Sequence, residues 1–145
     1  MRLLTNDSLF GLVVTPTRTP RFFSFQLVLN GVTIGDDEPS IVWSGVNTLR
    51  SLQELRADGL DPLVFGPAEI LRVLSSTEHL DVSSLLTLTE SLDEWSIRGY
   101  RWRTKAVLIA CESSPVGSAR RTLMAVPEYH EYELILDHAD QLVSK

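Results

Sequence analysis

Between Phe23 and Leu29 the chain alternates, with Phe23, Phe25, Leu27 and Leu29 separated by Ser24, Gln26 and Val28. A period of two places one mostly apolar row on one face of a strand. Asn30 and Gly31 follow directly, and both tolerate the positive φ of a two-residue hairpin. Val32, Thr33 and Ile34 are therefore expected to return antiparallel, giving a hairpin over about residues 21–34. Gly35 and the acidic turn Asp36, Asp37, Glu38 before Pro39 end it. Upstream, residues 9–15 form a β-branched apolar run that predicts an opening strand. Pro16 and Pro20 keep that strand from running through the connection.

Beyond the acidic turn the period changes. Val42, Val46, Leu49, Leu52 and Leu55 recur at three and four residues, which predicts a helix from an N-cap at Ser40 to about Arg56, stopped by Asp58 and Gly59. Gly45 inside it implies a close backbone approach or a later start. Residues 59–66 read as a loop or a very short strand. Pro67 then stands at a natural first helical position with Glu69 in the first turn, and Ile70, Leu71, Val73 and Leu74 make residues 67–75 a short amphipathic helix.

Residues 75–93 carry loosely alternating leucines among Ser83, Ser84, Thr87 and Thr89, a pattern closer to strand or irregular chain than to helix. Residues 94–112 are strand-rich: Trp95, Ile97 and Gly99 share one parity, Arg98, Tyr100 and Trp102 the other. Residues 106–111 are apolar on both parities, as a strand covered on both faces requires. A turn around Pro115 and Gly117 lets residues 121–126 run back, so an antiparallel meander is expected. From Pro127 a last helix carries Tyr132, Ile135, Leu136, Ala139, Leu142 and Val143 as one stripe, with Glu133, Asp137 and Asp140 on a different face. These elements predict an α+β fold, an antiparallel sheet of about five or six strands with two or three helices packed against it.

The chain of 145 residues, 43% hydrophobic and 22% charged, fits one globular domain over residues 1–145. Nineteen acidic against thirteen basic side chains give a net charge of −6. This disfavours non-specific attraction to nucleic acid or anionic membrane and admits a basic partner. The single cysteine, Cys111, excludes an internal disulfide and any Cys-x-x-Cys pair. With no signal-like or membrane-spanning stretch, a cytoplasmic protein is expected.

Candidate chemistry is sparse. His79, His130 and His138 have neither the spacing nor the cysteine partners of a metal set, and no cofactor is expected. Cys111 ends an apolar run and reads as a small core hydrophobe. Ser113 and Ser114 lack a nucleophile elbow, and Gly31 and Gly35 have turn roles without a phosphate. Asp36, Asp37 and Glu38 are compatible with a solvated turn, a partner contact, or acid-base or cation chemistry. Arg98, Arg101, Arg103 and Lys105, interleaved with Tyr100 and Trp102, suit internal ion pairing or the stacking of bases. An acidic helix face without a catalytic set favours a binder. Its expected contact residues are Asp36, Asp37, Glu38, Glu133, Asp137 and Asp140.

Residues 29–40, with Asn30, Gly31, Ile34, Gly35 and Asp36, are followed by an amphipathic helix, the short helix at 66–74, the strand at 102–113, residues 121–126 and a terminal helix. This order resembles the small α+β immunity proteins encoded beside bacterial polymorphic or contact-dependent toxins, most closely the immunity protein 42 group. The resemblance implies a non-enzymatic protein that occludes a cognate toxin domain, a basic nuclease being one candidate, as a monomer or weak homodimer. It places Asp36 at the family's acidic position after the glycine, in a capping rather than a contact role. The rival expectations are a small enzyme or ligand-binding domain using Asp36 or Asp37 in a cleft, and a structural subunit pairing through a sheet edge.

Overall fold

The alternating run folds as β3 (Phe23–Leu29), which turns at Asn30 and Gly31 into β4 (Val32–Ile34). Both turn residues hold positive φ, 50° and 83°, so Leu29 faces Val32 across a two-residue loop. In the computed structural model, residues 1–18, 22–35, 42–76, 95–112 and 121–143 are described, apart from the side chains of Ser44, Ser75, Ser76 and Val143. Most of residues 75–93, together with the N-cap expected at Ser40, lie outside the described residues. Among those described, no helix is long and apolar enough to cross a membrane.

The opening strand, β2 (Phe10–Pro16), pairs antiparallel with β3. Phe10, Leu12 and Val14 thereby face Leu29, Leu27 and Phe25, and all six are buried in one core. A further strand, β1 (Arg2–Leu4), flanks β2. Three residues are too few to establish a period, so it leaves no pattern in the sequence.

The class is α+β, but the strands form two antiparallel sheets, of four and three strands, rather than one of five or six. The first runs β1-β2-β3-β4. The second, β5 (Trp95–Trp102), β6 (Lys105–Glu112) and β7 (Thr122–Ala125), is the expected meander. β3 touches β7, but among the described residues no ladder joins them: β3 pairs with β2 along its length and with β4 over Leu27–Leu29, while β7 pairs with β6. The apolar periods announce strands without saying which edges meet.

The two sheets share a core instead. The inner face of the first meets α1 (Val42–Leu52), α3 (Tyr129–Val143) and one face of the second sheet, with Val46, Leu49, Ile97, Leu108, Tyr132 and Leu136 among the buried contacts. The other face of the second sheet carries Tyr100, Trp102, Val107 and Ile109, covered by Leu60 and by Ile70 and Leu74 of α2 (Pro67–Ser76). Residues 106–110 are thus buried on both faces, as their unbroken apolar run requires. Asn6 N–H donates to Glu131 of α3 at 2.6 Å, which ties the start of that helix to the β1–β2 turn.

α1 ends at Leu52 and not near Arg56. Leu55 and Ala57 exchange backbone hydrogen bonds with Arg101, at 2.7 and 3.0 Å, so residues 55–57 run along the edge of β5 instead of continuing the helix. Leu55 keeps its apolar role by joining the second core.

Two buried tyrosines link the layers. Tyr132 Oη donates to Leu49 O and Tyr100 Oη to Leu60 O, each at 2.6 Å. Burial pushes both phenols above their ordinary value of 10.0, and the charge of Asp61 adds to the effect at Tyr100. A raised folded pKa means that the native state keeps protons the unfolded chain releases. The stabilisation is complete below about pH 10 and is lost as pH rises beyond it. Urea midpoints measured from pH 8 to about pH 11 should fall above pH 10. The fall should be shallower in Tyr100→Phe and Tyr132→Phe proteins; an equal fall would exclude the tyrosines as its cause.

Candidate functional site: the outer face of α1 and α3

The apolar stripe of α1 fixes what the helix leaves outside. Val42, Val46, Leu49 and Leu52 are buried, and one residue along a helix turns the side chain by about 100°. Trp43 is carried off the stripe and stands 65% exposed. Seven residues later, about 10.5 Å along the axis, Arg50 returns to the same side. Its guanidinium reaches Asp140 Oδ2 at 2.5 Å and Asp137 Oδ1 at 2.7 Å on α3. One fork therefore bridges the helices two turns from an exposed indole.

On α3 the buried side is Tyr132, Ile135, Leu136 and Ala139, while Glu133 and Asp137 are exposed and Asp140 is half-buried. Glu133 accepts a hydrogen bond from Tyr129 Oη at 2.8 Å, which raises the Tyr129 pKa. At Arg50 burial pulls the pKa down, but the hydrogen bonds and charges of Asp140 and Asp137 outweigh it, and the net shift is upward. Ion pairs this exposed contribute about 0–1 kcal/mol. Their main effect is orientation: Arg50 fixes two carboxylates, and with Glu133 the face stays net acidic.

Of the residues expected to form an acidic contact surface, Glu133, Asp137 and Asp140 therefore share one face of α3. Asp36, Asp37 and Glu38 lie outside the described residues. The link to Arg50 spans 87 and 90 residues in sequence and has no local signature. Trp43 had one: its position off the Val42, Val46, Leu49 stripe marks it as outward-facing on a helical wheel.

The basic cluster resolves into separate roles. Lys105 pairs with Glu128 at 2.6 Å, as internal ion pairing required. Arg101 lies over the Tyr129 ring at 3.9 Å and Arg103 over Trp102 at 4.8 Å. Arg98 is only 4% exposed, and burial lowers its pKa. Tyr100 and Trp102 are buried, with Trp102 Nε1 donating to Asp58 O at 3.0 Å. Neither ring offers a free face for a base, so the interleaved pattern is not a stacking platform.

Cys111 is half-buried at the end of β6, with Thr122 Oγ1 at 3.8 Å from Sγ. His130 and His138 both lie exposed on α3, and His79 is outside the described residues. Among the described residues, no group of three or more His, Cys, Asp or Glu is placed to hold a metal ion. The chain matches no family model, no curated protein and no solved structure.

Proposed function

We propose that the protein is a binding module of the immunity type, which neutralises a cognate toxin domain by covering it with the outer face of α1 and α3. The observation that carries this reading is Trp43, a large aromatic side chain held 65% exposed on a helix and aligned with the Arg50 bridge to Asp137 and Asp140. Tryptophan is among the residues most often dominant in protein interfaces, because it buries a large area with few rotatable bonds. The surrounding carboxylates steer a basic partner toward it and set its orientation.

In this reading no bond is made or broken. Trp43 enters an apolar pocket of the partner, and Glu133, Asp137 and Asp140 meet basic groups on the pocket's rim. Arg50 keeps two of those carboxylates in place before the encounter, which lowers the ordering cost of association. The order of elements that resembles immunity proteins supports a toxin as the partner. The experiment is co-expression with the product of the adjacent gene, followed by size-exclusion chromatography at micromolar concentration. Co-elution as one complex is expected, and separate elution contradicts the reading.

A further inference from the structure

A second exposed apolar feature lies away from the α1–α3 face. Leu63 and Val64, at the tip of the loop between α1 and α2, are 85% and 72% exposed. The loop around them is fixed at both ends. Leu60 and Phe65 are packed in the second core, Tyr100 Oη holds Leu60 O at 2.6 Å, and Pro62 is buried.

The turn itself is built on Asp61. Its carboxylate accepts from Leu63 N–H at 2.8 Å, and its backbone carbonyl accepts from Val64 and Phe65 at 3.1 and 3.0 Å. An Asx turn locked in this way presents the same two side chains in every molecule. Neither contributes burial to the fold, so a rigid apolar pair stands in water where polar residues would serve the turn equally well.

The charges around the tip narrow the occupant. Residues 54–72 contain four carboxylates, Glu54, Asp58, Asp61 and Glu69, against Arg56 and Arg72. Asp58 is engaged by Arg56 at 3.3 Å, and Arg103 donates its backbone N–H to the same carboxylate at 2.9 Å and brings its positive charge beside it. Asp61 and Glu69, which bracket the tip in sequence, form no ion pair among the described residues. An acidic rim repels an anionic lipid surface and an identical rim on a second copy, and it attracts a basic one.

We infer that the Leu63–Val64 tip is a preformed plug for an apolar pocket with a basic rim on a partner protein. The inference does not depend on the role given to Trp43. Because the pair is already ordered, insertion loses little conformational freedom, and the acidic rim sets the approach.

The test places a photo-reactive phenylalanine analogue at Leu63, and as a control at Arg2, exposed on β1 of the first sheet, in the full chain within its source cells. The protein cross-linked at position 63 is purified and titrated against the unmodified chain, the Leu63→Asp/Val64→Asp double variant, Glu69→Lys and Trp43→Ala. Affinity is expected to fall at least about tenfold in the double variant. It should fall in Glu69→Lys as well, by less as salt rises from about 50 to 300 mM. Both aspartates would stand in solvent, and an unchanged circular dichroism spectrum shows that the fold is kept. Cross-linking to lipid, to a second copy, or no more than at Arg2 overturns the inference, as does a double variant that binds equally well. A partner that Trp43→Ala still binds fully while the double variant does not separates failure of the α1–α3 reading from failure of this one.

Discussion

Tyr132→Ala is expected to lower the folding free energy by about 3–5 kcal/mol, the range for removing a fully buried aromatic ring. Tyr132 has 1% of its surface exposed and packs on Phe10 with ring centroids 4.8 Å apart and on Tyr129 at 6.4 Å. It therefore joins α3 to the first sheet. Its hydroxyl reaches Leu49 O, one of the last four carbonyls of α1, which have no partner within the helix. Tyr132→Phe separates the two contributions: it keeps the ring but leaves a buried acceptor unmet, at about 1–3 kcal/mol. Denaturant unfolding of both variants measures the split. A cost below about 1 kcal/mol for the alanine variant would mean that the shared core does not depend on this ring.

Gly99→Ala should cost about 3 kcal/mol, the upper part of the usual range for overpacking. A Cβ built at Gly99 would stand 2.6 Å from Val107 O, 3.1 Å from Gln53 Nε2 and 3.3 Å from Leu108 Cδ2. The first neighbour is backbone within the β5–β6 ladder, so it yields only if the sheet distorts. Gln53, buried and reaching toward Val107 O at 3.5 Å, uses the space a methyl group would take. The same unfolding assay applies, and a variant as stable as the parent would show that the ladder shifts freely at this position.

These two sites also mark what the sequence could and could not tell. The alternation at β3, the Asn30-Gly31 turn, the Pro67 start of α2 and the stripe of α3 are local signals, each expressed within a few residues, and each appears where expected. The division into two sheets is not local, because the period of a strand does not say whether its outer edge meets a strand of the other sheet. The end of α1 failed for a related reason: Leu55 continues the helical spacing, but pairing of residues 55–57 with the edge of β5 outweighs it. Gly99 reads as one member of a parity row, and nothing nearby reveals the Val107 carbonyl against it.

The candidate site divides in the same way. Glu133, Asp137 and Asp140 were legible as one helical face, whereas Arg50 between them and Trp43 was not, since it acts through an interhelical contact. The Leu63–Val64 tip resembled an ordinary loop, because the two core anchors that stiffen it, Tyr100 and Phe65, converge only in three dimensions. The aromatic-basic pattern at residues 98–105 left base stacking open beside ion pairing for the opposite reason: alternation fixes which face a ring is on, and both faces of that strand are covered.

The most direct test of the binding account is calorimetric titration of the adjacent gene's product into the parent protein and into Trp43→Ala. The indole is exposed, so truncation should leave the fold intact while weakening association by about thirtyfold or more, the equivalent of about 2 kcal/mol for a dominant interface residue. Equal affinity for the two proteins, or no heat of binding from the parent at micromolar concentration, would contradict it.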